Sequence, residues 1–318
     1  MKTIVTLTMN PAIDTSLEIP QLLPDRKLRA LRPLYTPGGG GVNVSRAIRN
    51  LGGTSTAIYL AGGATGQQLG LLLTRESIDI HPIATAEPTR EDINIFERAT
   101  SKEYRIVVPG PEMSKPEWEQ ALQIVRTLNP RPDYLVASGS LPPGVPVDFF
   151  GRLAAIALES NFRLIIDTSG EPLRAAAARG TFLLKPNVHE LSYAAGEGVL
   201  SDTLIEAASR AIVTSGRSEV VVVSAGAAGA WLTDRHGTRR IPAPMVPISS
   251  RVGAGDSMVA GIVLALARGS DIDDAARFGV AAGSAAITVP GHHLCRRDQT
   301  ERLFEEMQRA ARAAAAAA

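Results

Sequence analysis

Short apolar runs alternate with amphipathic segments along most of the chain, and this alternation constrains the fold more than any other feature. The runs are mostly apolar on both faces, as in strands buried within a parallel sheet, and they span residues 4–7, 57–60, 134–137, 164–166 and 220–223. The segments between them have apolar residues at helical spacing and span residues 42–50, 67–75, 116–128, 147–160 and 204–214. Alternating strands and helices predict a doubly wound α/β fold with a mainly parallel sheet.

Two stretches depart from this rhythm. Residues 27–35 and 91–108 alternate polar and apolar side chains, the pattern of antiparallel strands with one face in water. They predict a small β-sheet lid over a substrate crevice, with exposed apolar residues that would form a homodimer surface. The predicted boundaries are a lid of residues 14–36 and 88–108 and an α/β domain of residues 1–13, 37–87 and 109–318.

Composition and charge exclude several classes of function. Of the 318 residues, 45% are hydrophobic and 20% charged, and 33 basic against 32 acidic side chains leave a formal charge of +1. The chain therefore lacks the concentrated basic charge that nucleic-acid or membrane-surface partners require. The single cysteine, Cys295, cannot form an internal disulfide, and no signal peptide is visible. We expect a cytoplasmic protein that binds small molecules.

A glycine-rich turn before an apolar helix is the clearest candidate for chemistry. Residues 251–257 read Arg-Val-Gly-Ala-Gly-Asp-Ser. Gly253, Ala254 and Gly255 would leave the first N–H groups of the helix free to bind an anion. Asp256 would accept a proton from an attacking hydroxyl group, or it would only cap the helix. No Gly-Lys-Ser/Thr occurs in the chain, which excludes a P-loop.

Three further clusters combine glycines or polar residues with the ends of predicted elements. Four glycines at residues 38–41 precede a predicted helix, either for close approach to a ligand or as a flexible turn. Lys185 ends a strand. Asn187 and Glu190 lie one helical turn apart, where they would hold a hydrated magnesium ion or form a capping box. The glycine-spaced turn at residues 224–229 would contact a nucleotide or tightly connect two strands.

Together these motifs resemble the ribokinase-like (PfkB) carbohydrate kinases over nearly the whole chain. The likeness rests on residues 8–14, 38–41, 61–66, 138–144, 252–258 and 278–284. It implies a ribokinase-like fold and transfer of phosphoryl from ATP to a sugar, with magnesium as cofactor. Within the family the likeness is greatest to the minor, ribokinase-type bacterial 6-phosphofructokinase. Gly40 stands where 1-phosphofructokinases and tagatose-6-phosphate kinases usually carry a lysine, which favours a 6-phosphate acceptor. The implied acceptor is carbon 1 of fructose 6-phosphate, with those two activities as alternatives and a catalytically silent regulator as a remote one.

The resemblance also implies roles for individual residues. Asp256 would be the general base, and the N–H groups of Gly253, Ala254 and Gly255 would stabilise the transferring phosphoryl group. Sugar hydroxyl groups would be bound by Asp14, Gly39, Asn43 and Ser138. The sugar phosphate would be bound by Lys27, Arg90 and Arg105. ATP would be bound by Lys185, Asn187, Ser224, Gly226, Gly229 and Ser284, with Glu190 acting on magnesium through water.

Two departures from the family pattern bear on these roles. Arg251 stands where the family commonly has a small hydroxyl residue, beside the phosphate path, where it would either stabilise charge or obstruct the site. Residues 288–294 lack the polar groups that often complete a monovalent-cation site around Ser250, Val252 and Ala286. The sequence therefore argues against activation by potassium.

Overall fold

A nine-stranded sheet runs through the centre of the molecule in the computed structural model, which describes residues 1–178, 180–196, 198, 201–290 and 293–317. In spatial order its strands are β13 (Gly237–Ile241), β12 (Ala230–Asp234), β11 (Ser218–Ser224), β10 (Thr181–Leu184), β9 (Arg163–Asp167), β8 (Tyr134–Ser138), β1 (Ile4–Thr8), β4 (Thr56–Ala61) and β5 (Asp79–Ala84). The strands from β11 to β5 are parallel to one another. Strands β12 and β13 form an antiparallel edge.

Helices cover both faces of this sheet, which explains why its central strands are apolar on both sides. They are α1 (Gly40–Asn50), α2 (Gly63–Arg75), α3 (Lys115–Thr127), α4 (Phe149–Ser160), α5 (Gly170–Ala176), α6 (Val188–Ala195), α7 (Asp202–Thr214), α8 (Ala254–Ala267), α9 (Ile272–Ala286) and α10 (Arg297–Ala317). One core lies under α1, α8 and α9, and a second lies under α3, α4 and α7. None of the helices that the structure describes is long and apolar enough to span a bilayer.

The carboxyl ends of neighbouring parallel strands bring polar residues to one edge of the large sheet. Thr8 ends β1, Ser138 ends β8, Asp167 ends β9 and Ser224 ends β11, while Lys185 directly follows β10. Ligands of open α/β sheets bind beyond this edge. We therefore expect the active site here.

A second, four-stranded sheet confirms the predicted small sheet. Its strands, in spatial order, are β3 (Leu34–Gly38), β2 (Ala12–Ile19), β6 (Arg90–Glu97) and β7 (Lys102–Ile106). The central pair, β2 and β6, is parallel, and both outer pairs are antiparallel. With the large parallel sheet, this arrangement confirms the predicted fold class.

The predicted strand over residues 27–35 is wrong for most of its length. Strand pairing begins only at Leu34, and residues 21–33 are exposed and form no strand. Pro24 and Pro33 lie in this segment, and proline cannot donate a hydrogen bond to a strand ladder. The alternation pattern also did not predict β2, because polar residues interrupt its apolar positions.

Candidate active site

Helix α8 begins with its backbone donors uncovered. Its N-cap residue, Gly253, has a φ of +75°, in the left-handed region that favours glycine, and no side chain of the described residues caps the helix. A Cβ at Gly253 would lie 2.5 Å from the Leu294 side chain. The first N–H groups are therefore free to bind an anion, and Asp256 does not act as a cap. Arg251, just before the turn, is exposed and forms no ion pair with the described residues.

The Asp256 carboxylate in the first turn of α8 has the protonation behaviour of a general base. Its Oδ2 accepts a hydrogen bond from Asn43 Nδ2, at 3.0 Å. Burial raises the pKa of Asp256 from 3.8 to about 7, and the charge of Asp167 adds to the rise. The Asn43 hydrogen bond and the cations Lys185 and Arg105 oppose it. A carboxyl group with this pKa exchanges its proton near neutral pH.

Asp167 is a functional candidate that the sequence analysis missed. Its Oδ1 lies 3.1 Å from Lys185 Nζ in a largely buried ion pair. A Cβ at Gly255 would lie 3.7 Å from the same nitrogen, so the ammonium group lies beside the start of α8. Burial alone would lower the pKa of Lys185, but Asp167, Glu190 and Asp256 together raise it, so the lysine stays cationic. The signal available in the sequence was an acidic residue directly after the apolar run of residues 164–166.

The glycine run packs tightly against the strand ends. Gly39 is the N-cap residue of α1, with a φ of +103°. A Cβ at Gly40 would overlap the Ser138 hydroxyl oxygen and lie 2.6 Å from the next backbone nitrogen. Ser138 is buried, and its hydroxyl group hydrogen-bonds Asp167. Gly40 therefore has a packing requirement that does not depend on the choice of substrate.

Asn187 and Glu190 form the capping box that was one of the two interpretations of this pair. Asn187 Oδ1 accepts a hydrogen bond from the Glu190 N–H group, and Glu190 Oε2 accepts one from the Asn187 N–H group, both at 2.8 Å. Burial raises the pKa of Glu190, while the Asn187 hydrogen bond and Lys185 oppose the rise. Among the described residues, no three His, Cys, Asp or Glu side chains cluster as a metal site would require.

The remaining residues predicted to bind the nucleotide are Ser224, Gly226, Gly229 and Ser284, and they lie in different surroundings. Ser224 forms a bridge with Asn187 at the end of β11, and Gly226 has open space where a side chain would stand. Gly229 has a φ of +92°, and a Cβ there would lie 2.6 Å from a backbone nitrogen after β13. Gly229 therefore serves a tight strand connection. Ser284 is 7% exposed on α9.

Asp14 on β2 carries a buried carboxylate oxygen, Oδ1, that has no hydrogen-bond partner among the described residues. Burial raises the pKa of Asp14, and Asp92 on the adjacent strand adds to the rise, while Arg105, Arg46 and Arg90 lower it. Buried carboxylate oxygens in proteins normally accept hydrogen bonds. The orphaned oxygen therefore fits a donor from a ligand, such as a sugar hydroxyl group.

The three predicted phosphate-binding cations lie in different environments. Arg90 Nη1 donates to both carboxylate oxygens of Asp92, at 3.0 and 3.1 Å, and the guanidinium group also donates to two backbone carbonyl groups. Arg105 on β7 is exposed and forms no ion pair within the described chain. Lys27 is also exposed, and it forms neither a hydrogen bond nor an ion pair with the residues the structure describes. The structure thus brings Arg90 and Arg105 to Asp14, whereas Lys27 lies in the irregular segment 21–33.

The residues predicted around a monovalent cation meet where α9 ends. Ser250 and Ala286 are buried. The Ser250 N–H group donates to the Ile287 carbonyl oxygen at 3.2 Å, and the Val252 N–H group donates to Ser250 Oγ at 3.3 Å. Residues 291–292 of the neighbouring segment lie outside the described residues.

Comparison with known proteins identifies relatives along the whole chain. The model of the pfkB family carbohydrate kinases matches residues 3–299. The ATP-dependent 6-phosphofructokinase isozyme 2 of Mycobacterium tuberculosis is 44% identical over 303 residues, which cover 95% of this chain and 89% of the relative. The Escherichia coli protein of the same name is 40% identical over 310 residues, covering 97% and 100%. A 1-phosphofructokinase of Borreliella burgdorferi is 33% identical over 293 residues, covering 92% and 93%.

Solved structures agree with these relatives. Phosphofructokinase-2 of Escherichia coli in complex with fructose-6-phosphate has a TM-score of 0.90 at 39% identity, covering 97% of this chain and all of that one. The same protein in complex with potassium has a TM-score of 0.92 at 39% identity and the same coverage. Sequence and fold therefore agree that this protein belongs to the PfkB family of carbohydrate kinases, and it is a phosphotransferase with an alcohol group as acceptor.

Proposed function

We propose that this kinase transfers the γ-phosphoryl group of ATP to the hydroxyl group on carbon 1 of fructose 6-phosphate, which gives fructose 1,6-bisphosphate. The observation that carries the chemistry is Asp256, a carboxylate with a pKa of about 7 at the uncovered start of α8. The choice of acceptor is supported by the 6-phosphofructokinase relatives, which are more similar than the 1-phosphofructokinase.

Asp256 would act as the general base. It takes the proton of the carbon-1 hydroxyl group as that oxygen bonds to the γ-phosphorus, and the bond from phosphorus to the bridging oxygen of ADP breaks. The charge that develops on the phosphoryl oxygens would be stabilised by the free N–H groups of Gly253, Ala254 and Gly255 and by the Lys185 ammonium group beside them. Both donors are fixed before substrate binds, so little reorganisation is needed during the transfer.

The sugar would bind between the glycine run and the small sheet. Oδ1 of Asp14 would accept a hydrogen bond from a sugar hydroxyl group. Gly39, Asn43 and the buried Ser138 would line the same side of the sugar site. Asn43 has a second task, because it already donates to Asp256. A substrate hydroxyl group in this space would lie within reach of the base.

The phosphate on carbon 6 needs cations at the other end of the sugar. Arg105 is exposed and free of ion pairs with the described residues, so we assign it the principal contact. Guanidinium groups bind phosphate through two parallel hydrogen bonds. Arg90 would add positive charge near the phosphate, although its guanidinium group already donates to the Asp92 carboxylate. Lys27 would reach the phosphate only if the exposed segment around it folds over the sugar.

The nucleotide would lie along the carboxyl edge of the large sheet. Its contacts are proposed for Lys185, Asn187, Ser224, Gly226, Gly229 and Ser284. Glu190 keeps Oε1 outside its capping box, and a carboxylate oxygen is a donor that suits the water shell of magnesium. A magnesium ion held there through water would neutralise charge on the ATP phosphates.

Potassium activation is a separate question. Ser250, Val252 and Ala286 are the candidate ligands, and the potassium complex of the Escherichia coli protein supports a cation in this fold. Because residues 288–294 offer few polar groups, we expect less than about a twofold difference between initial rates in potassium and sodium chloride. A larger stimulation by potassium would overturn this expectation.

The small sheet also supports a homodimer. Its strands, the residue after β7 and the segment 21–33 carry exposed apolar side chains, namely Leu22, Leu23, Leu28, Leu31, Leu34, Tyr35, Phe96, Ile106 and Val107. Exposed apolar clusters of this kind mark interaction surfaces, and a second copy of the chain offers a matching one. Light scattering should give the mass of a dimer for the wild type and of a monomer for Tyr35→Asp. A monomeric wild type at micromolar concentration would contradict the proposal.

A panel of acceptors tests the proposed reaction. ADP formation is measured with ATP and magnesium against fructose 6-phosphate, fructose 1-phosphate and tagatose 6-phosphate. We expect the highest kcat/KM for fructose 6-phosphate. If another sugar is preferred, the kinase chemistry stands and the acceptor is wrong. If ATP and sugar bind but no ADP forms with any of them, the protein is a silent regulator.

A further inference from the structure

Arg46 is a partly buried cation to which none of the roles above is assigned. It lies on α1, its side chain is 11% exposed, and its Nε donates to Glu76 Oε2 at 2.8 Å. Its Nη1 donates to the carbonyl oxygen of Pro37 at 3.0 Å. Pro37 belongs to β3, just before the glycine run, and Glu76 is the C-cap residue of α2. The guanidinium group is therefore fixed by two elements outside its own helix.

The same guanidinium group reaches Asn43, one turn earlier on α1. Arg46 Nη1 lies 3.4 Å from Asn43 Oδ1, a long hydrogen bond, and Asn43 Nδ2 donates to Asp256 Oδ2 at 3.0 Å. A guanidinium group can only donate, and an ionised carboxylate can only accept. One orientation of the Asn43 amide therefore satisfies both neighbours. The flipped amide would set its oxygen against the carboxylate and its NH₂ group against the cation.

We propose that the Arg46–Glu76 pair is a positioning device for the base: it fixes the amide of Asn43, and through it the carboxylate of Asp256. With Oδ2 held by Asn43, Oδ1 of Asp256 stays free to face the acceptor hydroxyl group. This inference rests on the proposed function, in which Asp256 is the general base. Arg46 touches no reacting atom in this scheme and acts on Asp256 only through Asn43, although its charge also lowers the pKa of Asp14.

The charges around Asp256 determine what the loss of this device would do. Asp256 faces Asp167 on β9, Lys185 directly after β10, Arg105 on β7 and Asn43 on α1. The Asn43 hydrogen bond lowers the pKa of Asp256. If the amide is free to turn, that hydrogen bond weakens and the pKa of Asp256 rises. The base is active when ionised, so the acid limb of the rate profile moves to higher pH.

Arg46→Met tests the proposal against Arg49→Met, its matched control. Arg49 lies on the same helix, but it is exposed and forms no ion pair with the described residues. For Arg46→Met we expect kcat to fall about 10- to 100-fold, a part of the base's contribution. The acid limb of kcat should shift to higher pH, and the KM for ATP should change less than about twofold. Arg49→Met should keep both the kcat and the acid limb of the wild type.

Glu76→Gln is the milder second variant, and it carries the test if Arg46→Met does not fold. It keeps an oxygen acceptor for Arg46 but removes the charge, so kcat should fall less and the limb should move in the same direction. A double-mutant cycle completes the test. Because Arg46 acts through Asn43, adding Arg46→Met to Asn43→Ala should cost little more kcat than Asn43→Ala alone.

Two results would overturn the proposal: an acid limb of Arg46→Met at the wild-type position, or effects of Arg46→Met and Asn43→Ala that multiply. Asp256→Asn separates this outcome from a failure of the proposed function. If Asp256→Asn keeps its turnover, the base itself is misassigned. If Asp256→Asn is inactive while Arg46→Met behaves like the wild type, only the positioning role fails.

Discussion

The two sheets of this kinase hold their functional residues in opposite ways. At the carboxyl edge of the large sheet, Lys185 is 4% exposed and paired with Asp167 beside the start of a helix buried along most of its length. On the small sheet Arg105 is exposed, and its neighbour Ile106 is 52% exposed. Chemistry is thus assigned to groups that packing fixes, and the principal contact with the sugar phosphate to Arg105, a side chain that is exposed to solvent. The difference predicts large effects of substitution in the first region and small, substrate-specific ones in the second.

The largest effect is expected for the base. Asp256→Asn keeps the size and the hydrogen-bonding capacity of the side chain but cannot take a proton, so kcat should fall about 10²- to 10⁴-fold. Binding of fructose 6-phosphate, measured by calorimetry without turnover, should be retained. A kcat close to that of the wild type would remove Asp256 from its role.

Next comes the buried ion pair. Lys185→Met leaves the Asp167 carboxylate buried without its cation, which should lower the free energy of unfolding by about 3–5 kcal/mol. Lys115→Met is the control, because Lys115 is exposed and, among the described residues, pairs only with Glu119 on the helix surface. It should cost less than about 0.5 kcal/mol. Urea unfolding at neutral pH compares them, and equal losses would show that the large-sheet pair is not held by burial.

Stability and catalysis should respond to Asp256 in opposite directions. Because the folded-state pKa is raised to about 7, the neutral acid is favoured on folding below the unfolded pKa, and this contribution is lost as the pH rises through 7. At about pH 8, Asp256→Asn should therefore raise the free energy of unfolding by roughly 2 kcal/mol, and the gain should shrink toward pH 4. The exposed Asp25→Asn is the control. A loss of stability at pH 8 for Asp256→Asn would show that burial does not penalise the charge.

The smallest effect is expected on the small sheet. Arg105→Ala should raise the KM for fructose 6-phosphate about tenfold through the loss of a charged hydrogen bond, while the KM for ATP changes little. Arg90→Ala should also affect the sugar more than the nucleotide. Lys102→Ala, on the same exposed strand as Arg105, should leave both KM values unchanged. Equal rises in the KM of sugar and ATP would indicate general damage to the lid.

Local patterns predicted β1, β4, β8, β9 and β11 of the large sheet and the start of α8, because apolar runs and a glycine turn before a helix are properties of neighbouring residues. The predicted strand over residues 27–35 failed for a local reason, the prolines in that segment, whereas the missed role of Asp167 depends on a contact between distant segments. Asp167 gains its role only because β9 lies beside β10. Asp92 pairs with Arg90 two residues earlier on the same strand, β6, a local contact that the sequence analysis did not anticipate. The capping box of Asn187 and Glu190 was predicted as one of two alternatives, since the sequence pattern is the same for both.

The pH dependence of kcat/KM for fructose 6-phosphate tests the central claim most directly. It is measured between about pH 5 and pH 9, and the ionisation of the sugar's own phosphate, titrated separately, is divided out. We predict a plateau above pH 7 and a fall of about tenfold per pH unit below it, since the pKa of Asp256 is raised to about 7. A profile that stays flat down to pH 5 would contradict a base whose pKa is raised by burial.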